Sequence, residues 1–283
     1  MNYVFFGTPE FGRIVLEKLL DADSIPLALV TNPDKPVGRK QALTYSPTKQ
    51  LIFDKKLDER VVILQPQKIN EGFLEKLRTL NADLFIIAAY AKIVPPTLLK
   101  IPLRGVIGVH PSLLPKYRGA SPIQSAILNG EIETGTSLFL VGEGMDDGPI
   151  IRSEKISLDS QETTASLTKK LAEVSSRILI ETLPLITTSE VVRLGAQVQD
   201  EEQATFTKKF KTEDAFIDFS ELQRAQTGDR ELAQHINQKI RAFYPEPGAY
   251  TLENGRRLKL LESSVDSGRL RLLKVQYEGG KPQ

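Results

Sequence analysis

The 283-residue chain contains no cysteine. That excludes a disulfide framework, a thiolate nucleophile and any cysteine-ligated zinc or iron–sulfur centre. Histidine is scarce as well: only His110 and His235 are present, too few for a histidine-rich site, so no metal is expected. Long hydrophobic runs are missing. The longest uncharged apolar stretch, Leu84 to Ala91, falls far short of the roughly 20 residues that span a bilayer. The opening Met1–Gly7 lacks a basic segment followed by an apolar one, so no signal peptide is read there. The expectation is a cytoplasmic protein without membrane contact. Neither sign of charge dominates, with 37 Lys and Arg against 36 Asp and Glu, so a nucleic-acid partner would have to be met by a local patch. The 19 glycines and 17 prolines are well below the share of roughly 25–30% that marks low complexity.

What is present is the pattern of an α/β protein. Length allows one large domain and one small one. Over the first 150 residues, short apolar runs alternate with amphipathic segments, as in βα units around a mostly parallel, Rossmann-like sheet. Strands are expected at Tyr3–Phe6, Ile25–Thr31, Val61–Leu64, Leu84–Ala89 and Gly105–His110. Later, antiparallel ones are expected at Thr136–Val141 and Ile150–Ile156. Phe11, Val15, Leu16, Leu19 and Leu20 recur at helical spacing, and further helices fit 71–80, 121–129, 163–183 and 227–243. The pattern breaks over 185–206. The expected division is 1–186 for the large domain, 187–206 for a linker, and 207–283 for a small β-rich unit with strands at 249–252, 256–263 and 269–277.

Three stretches carry candidate chemistry. Gly105–His110 ends a strand in His110-Pro111, which puts an imidazole at the carboxyl edge of the sheet, where open α/β sheets receive ligands. Gly108 and His110 are two apart and share one face. A satisfied core histidine and a proton-handling one both remain open here, and the following loop with Arg118 tips the reading toward function. Val141–Ile150 sets Asp146 and Asp147 on a glycine-bracketed loop, which is either a solvated turn or a carboxylate reaching His110. Residues 35–56 hold Lys35, Arg39, Lys40, Lys49, Lys55 and Lys56 against Asp54 alone. Such a segment either grips phosphates or is a solvated loop. Gly7 and Gly12 do not make a Gly-x-Gly-x-x-Gly loop, so a dinucleotide site is not expected.

The run His110-Pro-Ser-Leu-Leu-Pro-Lys-Tyr-Arg-Gly119, followed by Gly135-Thr136 and Gly144-Met-Asp-Asp-Gly148, resembles the signature of formyltransferases that use 10-formyltetrahydrofolate. Within them the chain most resembles those that formylate methionyl-tRNA. Gly7–Phe11, Asn32–Arg39, Ser46–Lys49, Gln65–Lys68, Arg118–Gln124, Ile217–Ser220 and Ile240–Pro245 carry the likeness over nearly the whole length. The resemblance implies His110 and Asp146 as catalytic residues. It implies a folate pocket from Ala89, Tyr90, Ile93, Ser112, Leu113, Leu114, Pro115 and Gly142, and contact with initiator methionyl-tRNA through Arg39, Lys40 and Arg118. It further implies release of tetrahydrofolate and an OB-like C-terminal domain that binds tRNA; separately, nothing in the chain resembles an oligomerisation stripe, so a monomer is expected.

The chain departs from that pattern in two places. Gly108 stands where the family carries a catalytic Asn, and a glycine offers no side-chain donor to a developing oxyanion. If a carboxamide there did its usual work, its loss would cost on the order of 10²–10³ in rate. The C-terminal unit is also short between Ser264 and Leu270 and at its end. Two other readings therefore stand beside formylation of methionyl-tRNA. One is an N-formyltransferase of nucleotide-sugar amines, and the other is a folate- or tRNA-binding relic with little turnover.

Overall fold

The computed structural model describes residues 1–37, 42–188 and 195–283. In chain order the elements begin with β1 (Tyr3–Gly7), α1 (Glu10–Asp21), β2 (Ala28–Val30), β3 (Lys35–Val37), β4 (Ala42–Thr44) and α2 (Pro47–Asp54). Next come β5 (Val62–Leu64), α3 (Glu71–Thr79), β6 (Leu84–Ala88), α4 (Pro96–Leu99) and β7 (Val106–His110). They are followed by β8 (Arg118–Gly119), α5 (Pro122–Leu128), β9 (Glu133–Leu140), β10 (Ile150–Ser157) and α6 (Thr164–Thr188). The last are β11 (Phe206–Thr207), α7 (Phe219–Thr227), α8 (Arg230–Ala242), β12 (Tyr250–Glu253), β13 (Arg256–Asp266) and β14 (Arg269–Tyr277). The chain forms two compact units, the first from 1–118, 135–155 and 168–206, the second from 119–134, 156–167 and 207–283.

The first unit is built on a seven-stranded sheet ordered β10-β9-β7-β6-β1-β2-β5. Strands β1, β2, β5, β6 and β7 run parallel. They are continuous apolar runs such as Tyr3–Phe6 and Leu84–Ile87, as expected of strands covered on both faces. On one face Val4, Phe6, Val30, Phe85 and Val106 pack with Phe73, Leu74 and Leu77 of α3 and Leu98 of α4. Each such side chain contributes about 1.5–3 kcal/mol by leaving water. β9 pairs antiparallel to β7, with Gly108 opposite Phe139 and His110 opposite Ser137, so the sheet changes direction next to the strand that carries the histidine.

Local signals set the helix starts. Asn70 caps α3 by accepting from the Phe73 amide at 3.1 Å, and Ser46 caps α2 by accepting from the Lys49 amide at 3.2 Å with Pro47 at the first helical position. The second unit has its own core, in which Leu222 and Ala225 of α7 and Ala233, Ile236 and Ile240 of α8 pack against Leu258, Leu260 and Leu270 of an antiparallel meander, β12-β13-β14. Three described strands stand here, against five in a complete OB barrel.

The helix expected at 227–243 is α8, Arg230–Ala242; α7 before it (Phe219–Thr227) is a further helix, ended where Gly228 takes φ of 130°, a conformation that suits glycine. α6 continues through Pro184 to Thr188, past the break read at 185, because Leu179, Leu183 and Ile186 go on burying one stripe. Within the basic segment 35–56 stands a helix, α2, started by the Ser46 cap and Pro47.

Candidate active site

His110 closes β7, a strand buried at all five positions. The residue is 6% exposed. Nε2 lies 2.9 Å from the carbonyl oxygen of Tyr117. A carbonyl only accepts, so Nε2 carries the hydrogen and donates it, and Nδ1 keeps the lone pair of the neutral ring. Nδ1 faces Oδ2 of Asp146 at 3.6 Å. The strand end is held by the Thr136 hydroxyl, which donates to the His110 carbonyl at 3.1 Å and shares a 2.6 Å bond with Ser175. A fixed imidazole thus presents one basic nitrogen, with a carboxylate beside it. Such an arrangement has the geometry to accept a proton at Nδ1 and to oppose the new charge with Asp146.

Asp146 and Asp147 have parted. Asp146 turns to His110 with φ of 51°, and its carbonyl accepts from Gln199 Nε2 at 2.8 Å. The same Nε2 donates to the Gly148 carbonyl at 2.7 Å. Asp147 folds back on its own loop, where a Cβ at Gly142 would lie 2.5 Å from Oδ1 and one at Gly144 would lie 2.2 Å from Oδ2. Those glycines leave room for a carboxylate. Gln199 is 5% exposed and lies in the stretch read as a connector, where no periodicity marks it.

Of the residues assigned to folate, Gly142 lies on the Asp147 loop just described, and the others fall into three groups. Ser112–Pro115 follow β7 directly, and their loop is tied down: the Ser112 hydroxyl donates to the Lys116 carbonyl at 2.6 Å, and Ser137 bridges the Ser112 carbonyl and the Leu114 amide at 2.9 and 3.1 Å. Leu113 packs where a Cβ at Gly135 would stand. Ala89 and Tyr90 follow β6. Ala89 has φ of 55°, and the Tyr90 ring packs edge-on against Phe6 with centroids 5.5 Å apart. Burial pushes the Tyr90 hydroxyl up to about 12, and among the described residues it has no hydrogen-bond partner. A buried polar atom with no internal partner suits a ligand-facing position. Ile93, by contrast, is 94% exposed.

Arg39 and Lys40 lie outside the described residues. Arg118 does not present a cation to solvent. It is 2% exposed, donates twice to Gln199 Oε1 at 3.1 and 2.9 Å, and makes a two-pronged pair with Glu201 at 2.9 and 2.7 Å. Its guanidinium is a brace, and through Gln199 the brace reaches the Asp146 loop. The phosphate-gripping reading of Lys49 also gives way. Its ammonium lies between Asp34 Oδ2 at 2.6 Å and Gln65 Oε1 at 2.8 Å. Lys55 pairs with Asp21 at 2.8 Å.

The sequence reading missed Phe139. Its ring lies over Gly108, where a Cβ would come within 2.2 Å of Cε1, and meets the His110 ring edge-on with centroids 6.4 Å apart.

Residues 1–183 match the formyl transferase family and residues 209–271 match the formyl transferase C-terminal domain; the chain belongs to the formyl transferase family. Within it, the methionyl-tRNA formyltransferase of Dictyoglomus turgidum is 38% identical over 268 residues, covering 94% of this chain and 80% of that one. Among solved structures, the methionyl-tRNA formyltransferase from Clostridium thermocellum has the same fold, with a TM-score of 0.62 at 20% identity over 98% of both chains. The N-formyltransferase from Helicobacter canadensis, in complex with folinic acid and dTDP-3-aminofucose, is similar in fold at a TM-score of 0.65 and 18% identity, over 93% of this chain and 87% of that one. No helix among the described residues is long and apolar enough to cross a membrane, and no group of three or more His, Asp or Glu among them is placed to hold a metal.

Proposed function

We propose that this chain transfers the formyl group of 10-formyltetrahydrofolate to the α-amine of initiator methionyl-tRNA. The observation that carries the reading is the His110–Asp146 pair, pinned at a sheet edge in a chain 38% identical to a methionyl-tRNA formyltransferase over nearly its whole length. The amine nitrogen attacks the formyl carbon, a C–N bond forms, and the bond from that carbon to the folate nitrogen breaks. One proton leaves the amine and one arrives on the departing folate nitrogen, so tetrahydrofolate and formyl-methionyl-tRNA result. His110 Nδ1 takes the proton, and Asp146 faces the imidazolium that forms.

Ala89, Tyr90, Ser112–Pro115 and Gly142 receive the reduced folate, with Ile93 at its rim. The folate complex of the structurally similar Helicobacter canadensis enzyme supports a donor of this class. Arg39 and Lys40 supply positive charge to the acceptor stem, and the C-terminal unit adds tRNA-facing surface. The reading is tested by formylation of methionyl-tRNA with 10-formyltetrahydrofolate, against the same assay with an amino-sugar nucleotide as acceptor. Formyl-methionyl-tRNA formed by this chain and lost in His110→Asn supports it. Turnover of the sugar amine alone overturns it.

A further inference from the structure

We infer that Phe139 is a positioning residue of this site: its ring fills the place of a side chain at residue 108 and holds the His110 imidazole edge-on. The inference rests on the function proposed above for its catalytic arm and on geometry for the rest.

Three observations converge. Gly108 and Phe139 are directly opposite in the β7–β9 ladder, with His110 opposite Ser137 two steps along. Side chains two apart on a strand share a face, so Gly108, His110 and Phe139 are on one side of the sheet. A Cβ built on Gly108 would lie 2.2, 2.4 and 2.9 Å from Cε1, Cζ and Cδ1 of Phe139. Gly108 is not among the residues with positive φ, so the backbone does not require glycine; the ring does. Finally, the two aromatic planes meet at 89°, and Phe139 is 3% exposed.

A ring in this place does what a polar side chain there would not. It excludes water from one flank of the imidazole, and its packing fixes the plane in which Nδ1 looks toward Asp146. Residue 108 then contributes no donor of its own. His110, Asp146 and the peptide groups of the loops are the polar groups left to act around the reacting carbon.

The test uses the full chain and compares Gly108→Ala, Phe139→Leu, Phe139→Ala and the Gly108→Ala/Phe139→Ala pair. With only two histidines in the chain, the imidazole resonances in a proton–carbon NMR spectrum separate His110 from His235. Phe139→Leu is expected to move the His110 signal and leave that of His235 in place, and to lower kcat at least tenfold with the KM for the folate donor within twofold. Gly108→Ala is expected to lower the unfolding midpoint in the parent chain but not in the Phe139→Ala background. An unmoved His110 signal and kcat in Phe139→Leu would overturn the inference, since simple core packing predicts that. A Gly108→Ala midpoint equal to the parent's would overturn it as well. If no variant formylates methionyl-tRNA, the proposed substrate fails. The NMR and unfolding arms still decide where the ring is and what it holds.

Discussion

Replacing Gln199 with leucine removes one side chain that ties two parts of the first unit together. Gln199 donates to the carbonyls of Asp146 and Gly148 and accepts two bonds from Arg118. Leucine is of similar size and fills the space, so the expected cost comes from hydrogen bonding and not from a cavity. A buried polar group that loses its partner costs about 1–3 kcal/mol, and bonds to a charged donor lie toward the upper part of that range. Glu201 still holds the Arg118 guanidinium and is itself mostly exposed, so water offsets part of the loss at that end. The two carbonyls on the loop recover less. Together these give a destabilisation of about 3 kcal/mol, or roughly 6–12 °C at the slope of about 2–4 °C per kcal/mol for chains near this size. The catalytic effect should be separable. A displacement of Asp146 by about 1 Å is enough to lower kcat by on the order of 10², while the KM for tRNA stays near the parent value. Thermal unfolding followed by circular dichroism, with steady-state formylation at a temperature where both proteins are folded, measures both. The exposed neighbour Gln203, whose side chain bonds Asp200, provides the control as Gln203→Leu. A Gln199→Leu protein that melts within about 1 °C of the parent with unchanged kcat would refute the reasoning, because the loop would then hold Asp146 without help.

Further outcomes follow from other parts of the site. His110→Asn keeps a donor for the Tyr117 carbonyl but has no basic nitrogen, so formylation should fall by about 10²–10⁴ with the fold intact by circular dichroism; a smaller loss would move the proton acceptor elsewhere. Gly108→Asn alone should destabilise by about 1–3 kcal/mol through overpacking against Phe139 and give no gain in rate, whereas the same change in a Phe139→Ala background should gain; a large gain from the single substitution would contradict this. Tyr90→Phe removes a buried hydroxyl that has no described partner. The unliganded protein should melt at the same temperature or higher while reduced folate binds roughly 3–10-fold more weakly, measured by calorimetry; equal binding would remove Tyr90 from the folate pocket. At Asp34, burial acts to raise the carboxyl, but hydrogen bonds from Lys49 and Gln65 and the Lys49 charge outweigh it and hold it below the ordinary range. A lowered carboxyl stabilises above the unfolded-state value near 4 and loses that contribution as the pH falls through the lower folded value. The parent's unfolding midpoint should therefore drop more between pH 7 and pH 3 than that of Lys49→Met, and equal drops would show that the network carries no such linkage.

Much of the fold could be read from the residue pattern because its strands are apolar runs of the kind that only a doubly covered sheet accommodates. Tyr3–Phe6 and Leu84–Ala89 agree with β1 and β6 to within one residue at each end, and His110 at the end of a strand pointed to the edge where it is found. What escaped were features decided by distant partners. Phe139 reads like any strand aromatic until Gly108, 31 positions earlier, is placed opposite it. Gln199 lies in a polar stretch with no period, and only the return of that stretch against Ile150 through its neighbour Gln197 brings it to the loop. Arg118 and Lys49 show the converse: cations that look available for phosphate in the sequence are taken up by Glu201 and Gln199, and by Asp34 and Gln65. Ser46-Pro47 is a legible helix start, yet α2 carries one lysine of its own, Lys49, inside a segment whose charge is set by lysines and an arginine outside the helix.

The reversed direction of β9 has a consequence for how this site tolerates change. Leu140 pairs with Ile107, three steps before His110, so the chain leaves β9 at the wrong end of the strand for the histidine and has to travel back roughly 10 Å to deliver Asp146. Both ends of that return are fastened: the Val141 amide donates to the Val106 carbonyl and the Leu140 amide to the Pro149 carbonyl, at 2.8 and 2.9 Å. Between those anchors the carboxylate is carried on an arm of set reach. Exposed Glu143 and Met145 along the arm are free to vary in chemistry, but its span is not, since one residue more or fewer would swing Asp146 past Nδ1 or short of it. Under the proposed mechanism the number of links in the loop is then a catalytic parameter in its own right.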